Sequence, residues 1–313
     1  MCGRHAAPVA TLAGVTTPAE TLPARPRAIV GRTLTWYAGH ARDLPWRRAG
    51  TSPWAVMVSE FMLQQTPVER VRGPWHMWMD RWPTPDALAA APAGEAVRAW
   101  GRLGYPRRAL RLHQAAVVIT ERFDGQVPAD RAALLSLPGV GSYTAAAIAS
   151  FAFGRREIVL DTNVRRVLSR VVFGRAYPPP TPTASELVVA ERLAPRDPAV
   201  AARWAVASME LGALVCVARA PRCDACPVRG LCAWQAAGTP AWTGPPRRGQ
   251  AYAGTDRQCR GALLAVLRST DGPVELAELE VAWADAAQRE RALNSLIADG
   301  LVVVTADRWS LPG

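Results

Sequence analysis

The sequence predicts a mainly α-helical protein, and three features support that expectation. Apolar residues recur at helical spacing in many segments of the 313-residue chain. Pro and Gly residues stand between these segments, where one helix would end before the next begins. A β-hairpin is predicted only near the C-terminus, at residues 301–305 and 308–311. We therefore expect many short helices and very little sheet.

The composition indicates a protein that binds nucleic acid. Half of the residues are hydrophobic, and the formal net charge is +11. All 37 basic residues are Arg, because the sequence contains no Lys. The length allows one large domain or two to three smaller ones. A positive surplus of this size favours a polyanionic partner, most simply nucleic acid, and a genomic bias toward Arg is the alternative.

The sequence also favours a cytoplasmic location and a bound metal. It has no apolar run of about 18 residues that could span a membrane, and its start lacks the pattern of a secretory signal. Four of the six Cys residues lie within residues 216–232. In a reducing compartment such a cluster indicates metal binding rather than disulfides.

The elements follow from the N-terminus. Residues 1–27 are rich in Ala, Pro and Thr and are predicted to be a disordered tail. Helices are predicted over residues 28–41 and from Pro53 to about residue 66. Further helices are predicted over residues 67–80, 86–90, 94–101, 106–122 and 130–135. After residue 160, helices are expected over residues 163–172, 184–194 and 198–215.

The segment between the first two helices places an aromatic residue among arginines. Arg42, Leu44 and Trp46 belong to the run RDLPWRR. A ring beside guanidinium groups can stack on a base or lie against a phosphate. We predict that these three residues contact DNA, although Trp46 is equally compatible with a place in the core.

Glu60 interrupts an otherwise apolar helix. No cation stands three or four residues away from it on either side. If this helix face points inward, desolvation raises the pKa of Glu60 and keeps a proton available near neutral pH; a solvated Glu is the alternative. Gln64, Gln65 and Thr66 end the helix with side chains that can fill a gap in a base stack or read base edges.

A glycine turn follows at residues 137–141, with the sequence LPGVG. Gly139 and Gly141 permit a tight turn that a side chain would hinder. The helix that begins here leaves backbone N–H groups without partners, which suits a phosphate. Asp161 comes soon after the apolar residues 158–160, and it is either a candidate for chemistry beside that phosphate or an ordinary helix N-cap.

The cysteine cluster has the spacing C-x6-C-x2-C-x5-C. Four thiolates in one short loop can hold a tetrahedral ion or a cubane cluster. Structural zinc more often uses two C-x-x-C pairs, and only one is present here. The predicted ligands are Cys216, Cys223, Cys226 and Cys232.

The C-terminal part is predicted to be separate. Residues 237–257 have the composition of a linker. Residues 258–313 predict three helices over 258–268, 275–282 and 285–299, followed by the hairpin. This arrangement resembles a winged helix, which either binds DNA or serves as a packing module.

Several motifs together resemble the helix-hairpin-helix DNA glycosylase superfamily, most closely its A/G-specific adenine glycosylase family. They are RDLPW, SEFMLQQT, LGY, LPGVGSYTA, LDTNVRRVLSR and MELGALVC, followed by the cysteine loop. The resemblance implies a fold of two helical subdomains. Residues 28–50 with 156–236 would form the iron–sulfur subdomain, and residues 51–155 the other, with the helix-hairpin-helix at about 130–150. It also implies one [4Fe–4S] cluster.

The resemblance further implies a mechanism. Glu60 would protonate the adenine, while Asp161, with a depressed pKa, would stay ionised and support the sugar cation. Tyr143 stands where strand-cleaving relatives carry a Lys, so the expected activity is monofunctional. The expected substrate is adenine, opposite 8-oxoguanine or guanine in double-stranded DNA, flipped out of the helix by a monomeric enzyme.

Two other functions stay open. One is a thymine or uracil mismatch glycosylase of the same superfamily, which shares the Glu, Tyr and Asp positions. The other is a non-catalytic iron–sulfur DNA-binding regulator. The regulator predicts that Glu60 and Asp161 face solvent and are dispensable.

Overall fold

A computed structural model describes residues 25–244 and 252–313. It confirms the mainly helical fold class. The predicted disordered tail lies outside the described residues up to residue 24, and its last two residues belong to a helix instead, since Pro26 begins α1 with the fixed φ that favours a first turn. No helix in these two ranges is long and apolar enough to cross a membrane.

Residues 25–153 of the described chain include eight α-helices, and polar N-caps start several of them. A short 3-10 turn, Pro45–Arg47, separates the first two. Ser52, Thr84 and Asp130 each accept a backbone N–H from the first turn that follows. The bounds are α1 Pro26–His40, α2 Pro53–Leu63, α3 Val68–Arg81, α4 Pro85–Ala89, α5 Ala93–Trp100, α6 Arg107–Arg122, α7 Arg131–Leu135 and α8 Ser142–Phe153.

The second half adds helices and one small hairpin. The helices are α9 Thr162–Val171, α10 Ala184–Leu193, α11 Pro198–Leu214, α12 Ala233–Ala236, α13 Asp256–Ser269, α14 Leu276–Ala282 and α15 Ala286–Ala298. Strands β1 Val303–Thr305 and β2 Arg308–Ser310 pair antiparallel. Val274 forms an isolated bridge to Trp309. Of the predicted linker, residues 245–251 lie outside the described ranges, and α13 begins at Asp256, before the linker was expected to end.

Two hydrophobic cores organise the described chain. One is built on α2, α3, α5, α6 and α8, and the second on α1, α9, α10, α11 and the cysteine loop. Buried residues of α13, α14 and α15 belong to the first core. The C-terminal segment therefore packs directly against the helices of the first half.

Hydrogen bonds reinforce this docking. The backbone N–H of Gly94 donates to the carbonyl of Pro312 at 2.7 Å, and the chain at 311–312 occupies the space a Cβ on Gly94 would need. Nε of Arg268 donates to the carbonyl of Val97 at 3.0 Å. Such backbone contacts require the C-terminal segment to keep a fixed position on α5.

Candidate active site

Glu60 lies in the middle of α2 and is 6% exposed. Desolvation raises the pKa of Glu60 to about 7. The negative charge of nearby Asp161 adds to this shift, whereas Arg47 and the hydrogen bond from Tyr143 reduce it. The helix face of Glu60 thus points inward, as the first of the two sequence alternatives required. Burial of Glu60 also contradicts the solvent-facing position that the non-catalytic alternative predicts.

Tyr143 stands in the first turn of α8 and meets Glu60 from the opposite side. Its hydroxyl donates to Oε2 of Glu60 at 3.4 Å. Burial raises the pKa of Tyr143 well above its ordinary value, and the negative charges of Glu60 and Asp161 add to that shift. Tyr143 is therefore a neutral hydrogen-bond donor at physiological pH.

Asp161 is the N-cap of α9. Its Oδ1 accepts from the backbone N–H of Val164 at 2.6 Å, and its Oδ2 from Nδ2 of Asn163 at 2.7 Å. Burial nevertheless raises the pKa of Asp161 above its ordinary value, because desolvation outweighs these hydrogen bonds. The expected depressed pKa is wrong for this structure, while Asp161 does serve as an N-cap and does interact with Glu60.

The glycine turn lies between α7 and α8 and packs on α2. Gly139 has φ +79°, and a Cβ there would meet Phe61 and Arg111 at less than 3 Å. Gly141 has φ −91°, is exposed, and has open space around the Cβ position. Of the two predicted turn glycines, only Gly139 stands where the backbone and the surrounding atoms require Gly. No side chain caps the N-terminus of α8, so its first N–H groups can donate hydrogen bonds to an anion.

The residues that end α2 divide into one exposed and two internal side chains. Gln65 is exposed and has φ +55°, a left-handed conformation that costs a residue other than Gly about 1–3 kcal/mol. Gln64 is half-buried, and its Nε2 donates to Oγ1 of Thr144 at 3.3 Å. Thr66 is buried, and its hydroxyl bonds to backbone carbonyls. Thr66 thus supports the turn from inside in the free protein, and its contact with DNA stays a prediction.

The apolar part of the RDLPW segment lies under the surface. Leu44 is 1% exposed and Trp46 is 5% exposed, with the Trp46 ring packed edge-on against Trp75 at 5.8 Å. The first core covers both side chains in the free protein, and their contacts with DNA stay predictions. Arg42 binds Glu210 through Nε at 2.6 Å and Nη2 at 2.9 Å. Its guanidinium thus has a protein partner.

Glu210, on α11, is a site residue that the sequence prediction missed. Its side chain is fully buried, and Arg47 donates to it at 2.8 Å. Burial alone would raise the pKa of Glu210, but the bonds from Arg42 and Arg47 lower it to about 2. The signal was available, because Glu210, like Glu60, stands in an apolar helix without a cation three or four residues away.

All four predicted cysteine ligands line one cavity, together with Arg170 and Trp234. Nη1 of Arg170 lies 3.4 Å from Sγ of Cys216, and the Arg170 side chain is 2% exposed. Burial raises the pKa of the Cys226 thiol to about 11, so the thiolates need positive charge to form. No three His, Cys, Asp or Glu of the described chain are arranged for a single metal ion. A buried cation and four sulfurs around a cavity fit a larger anionic cluster.

Helix α9 connects this cavity with Asp161. Nε of Arg166 donates to the carbonyl of Cys216 at 2.7 Å. Nη2 of Arg166 donates to Oδ1 of Asn163 at 2.8 Å. Since Asn163 in turn donates to Asp161, three consecutive hydrogen bonds join the cysteine loop to the carboxylate.

The structure therefore assembles most of the predicted site. Glu60, Tyr143 and Asp161 come from α2, α8 and the start of α9 and interact with one another. The glycine turn immediately precedes the helix that carries Tyr143. A buried proton donor, a neutral hydroxyl and a second carboxyl, with free helix N–H groups beside them, suit acid-catalysed cleavage next to a phosphate backbone.

Two family models match the chain. The model for the HhH-GPD superfamily base excision DNA repair protein matches residues 58–192. These include Glu60, the glycine turn, Tyr143 and Asp161. The model for the iron-sulfur binding domain of endonuclease III matches residues 216–232. That range runs from the first cysteine of the cavity to the last, so the cavity is an iron–sulfur site.

Known proteins resemble the chain over much of its length. The adenine DNA glycosylase of Mycobacterium tuberculosis is 56% identical over 283 residues, which cover 90% of this chain and 92% of that protein. The adenine DNA glycosylase of Homo sapiens is 44% identical over 214 residues, which cover 66% of this chain and 39% of that protein. A solved structure of a thermostable thymine-DNA glycosylase has a TM-score of 0.61 and 28% identity, over 68% of this chain and 97% of that one.

Proposed function

The chain belongs to the adenine DNA glycosylase family within the HhH-GPD superfamily of base excision DNA repair proteins, and from this we propose that it removes adenine mispaired with 8-oxoguanine or guanine in double-stranded DNA. One observation carries the proposal: Glu60 is 6% exposed and lies 3.4 Å from the Tyr143 hydroxyl, in a position where burial raises its pKa to about 7. A carboxyl with that pKa holds a proton in about half of the molecules at neutral pH. It can therefore protonate a leaving base.

The reaction cleaves the bond between the adenine nitrogen and C1′ of deoxyribose. Glu60 donates its proton to the adenine ring, which then departs with the bonding electron pair as a neutral base. Asp161, which interacts with Glu60, supports the positive charge that develops on the sugar. That charge favours the ionised form of Asp161, against the burial that raises its pKa in the free protein. Water then adds at C1′, passes its proton to the Glu60 carboxylate, and leaves an abasic site.

The buried position of Glu60 supports base flipping. A base within a DNA stack cannot reach a side chain that is 6% exposed, so the adenine must leave the duplex and enter the protein. The N–H groups at the start of α8 would hold a backbone phosphate beside it. Exposed Gln65, at the end of the helix that carries Glu60, would fill the gap in the stack.

We propose a monofunctional enzyme because no side-chain amine is available. An imine with the sugar requires an amine nucleophile, and the chain contains no Lys. Tyr143 has the hydroxyl beside Glu60 instead. The abasic strand should therefore remain intact until alkali cleaves it.

We propose that the cysteine cavity holds one [4Fe–4S] cluster. Cys216, Cys223, Cys226 and Cys232 would be its ligands, and Arg170 would balance its negative charge. The cluster would hold the loop and the start of α9 in place. The protein is expected to act as a monomer in the cytoplasm, associated with DNA, and size-exclusion chromatography of the holoprotein would test the monomer.

Single-turnover cleavage of four labelled duplexes tests the proposal. They carry A:8-oxoguanine, A:G, T:G or U:G, and each is analysed with and without heat and alkali. We expect strand breaks from the two adenine duplexes, and only after alkali. Absence of adenine release from both would overturn the proposed activity, and breaks without alkali would overturn the monofunctional assignment.

A thymine or uracil mismatch glycosylase is the second candidate. The TM-score of 0.61 to a thymine-DNA glycosylase favours it. Under this alternative the T:G and U:G duplexes would be cleaved and the adenine duplexes would not. The same four duplexes therefore separate the two functions.

A further inference from the structure

The first turn of α6 reaches back to the end of α2 through one arginine. Arg108 is 6% exposed. Its Nη1 donates to the carbonyls of Phe61 at 2.8 Å and Met62 at 3.1 Å, and also to the carbonyl of Gln64. These are carbonyls of the last turn of α2, which have no partner within the helix.

The second terminal nitrogen of the Arg108 guanidinium binds residues beside the C-terminus of α2. Nη2 of Arg108 donates to Oγ1 of Thr66 and to the carbonyl of Gly104, both at 3.0 Å. The rings of Trp100 and Tyr105 lie within 6 Å of the guanidinium carbon. Burial lowers the pKa of Arg108 to about 10, and no carboxylate contributes to that shift. Carbonyl dipoles at a helix C-terminus are thus what stabilises the buried cation.

The chain needs this support because α2 ends without a glycine. Helices commonly end in a Gly with positive φ, whereas here Gln64 is the C-cap and Gln65 has φ +55°. A residue other than Gly keeps such a conformation only when its surroundings enforce it. Gln65 is exposed, so the enforcing contacts are those of its two neighbours. Arg108 bonds to both Gln64 and Thr66, and the side chains of these two residues add further hydrogen bonds.

We infer that Arg108 is a positioning residue, which holds Gln64 and Gln65 in a preformed turn ready to enter the DNA stack when the adenine leaves. The inference rests on the proposed function, which places Gln65 in that gap. It explains why a buried arginine with no carboxylate partner stands at this position. A preformed turn avoids ordering the glutamines during base extrusion, and that lowers the cost of the step.

The test compares Arg108→Lys with Arg107→Gln. Lysine keeps the charge but cannot present the planar fork that meets several carbonyls at once. Arg107 is adjacent, half-exposed and paired with Asp299 at 3.2 Å, so its variant controls for a substitution on the same turn that leaves the guanidinium of Arg108 in place. Both proteins are purified as the holoprotein, and their melting temperatures are compared with that of the parent.

Three measurements follow. Binding uses the fluorescence anisotropy of a labelled duplex, and extrusion uses the fluorescence of 2-aminopurine in place of the mispaired adenine. Adenine release from A:G duplexes is measured at saturating protein. For Arg108→Lys we expect little change in binding, loss of the 2-aminopurine signal, and release slowed by about tenfold to a hundredfold, as small misplacements cause. Arg107→Gln should match the parent.

Hydrogen exchange in the free protein tests positioning without any substrate. The amides of residues 64–66 should exchange faster in Arg108→Lys than in the parent, because the turn is no longer held. Parental exchange and parental extrusion in Arg108→Lys would overturn the inference. If Arg108→Lys does not fold, Thr66→Val removes one anchor of the guanidinium, and the same two parental results in that variant would overturn it. A parent that releases no adenine would overturn the proposed function instead, while the exchange result would still decide the role of Arg108.

Discussion

Burial of Glu60 opposes its ionisation. The same effect keeps the catalytic proton in place and makes the stability of the fold depend on pH. The folded pKa is about 7, against an ordinary value of 4.5. Between these pH values the folded protein keeps a proton that the unfolded chain releases. Stability is therefore lost as the pH rises through this window, and the loss is complete above pH 7, at about 3 kcal/mol.

Glu60→Gln should separate the two effects. The amide cannot donate the catalytic proton, so adenine release should slow by about 10²–10⁴-fold. Because Gln does not ionise, the variant should be more stable than the parent above pH 7, by up to about 3 kcal/mol. Urea unfolding at pH 5 and pH 8 measures the difference. Equal pH dependence of the free energy of unfolding in both proteins would contradict it.

The rate of the parent should follow the same carboxyl. Single-turnover release of adenine requires protonated Glu60, so the rate should fall as the pH rises through about 7. The direction of the Glu60 pKa shift can be predicted from the sequence, because no cation stands near Glu60 on its own helix. The partner that opposes it, Arg47, belongs to a different element, and only the fold brings the two together.

Elements were easier to predict from sequence than the surfaces they expose. Pro and Gly punctuation located nearly every helix, since the termination of a helix is a local property. The burial of Leu44, Trp46 and Thr66 could not be predicted, because whether a side chain is buried depends on helices distant in sequence. Asp161 was misjudged for the same reason: its helix N-terminus is local, but the desolvation that raises its pKa is not.

The glycine turn allows a paired test at the scale of one element. Gly139→Ala places a methyl group against Phe61 and Arg111 at a φ of +79°, so it should destabilise the protein by more than about 1 kcal/mol. Gly141→Ala meets no atom within 4 Å and keeps an ordinary φ. The melting temperature should fall for the first variant and stay unchanged for the second.

DNA binding should be weakened by Gly141→Ala, the variant whose stability is expected not to change. In Gly141→Ala the methyl group would stand where a phosphate approaches the N–H groups of α8. We expect the Kd for duplex DNA to rise by about tenfold, the cost of one hydrogen bond to a charged group. Anisotropy with an undamaged duplex measures this. A Gly141→Ala variant with parental affinity would show that the turn does not contact the backbone.

Across the whole molecule, charge is divided unevenly. Residues 256–313 contain nine acidic and six basic residues, within a chain whose net charge is +11. That segment is packed on α5, where Gly94 donates to the carbonyl of Pro312 and the Arg268 side chain donates to the carbonyl of Val97. Of the two roles open to a winged-helix-like tail, packing therefore agrees with the charge better than DNA binding does.

The DNA-binding face should then be the side of the glycine turn. Arg111 is exposed, and its stem lies beside Gly139. Arg308, in the C-terminal hairpin, is paired with Glu275 at 3.1 Å. Arg111→Gln should weaken duplex binding and reduce the slope of log Kd against log salt by about 1, whereas Arg308→Gln should change neither. Anisotropy titrations from low to high salt give both slopes, and an equal loss in the two variants would place the C-terminal segment on the DNA as well.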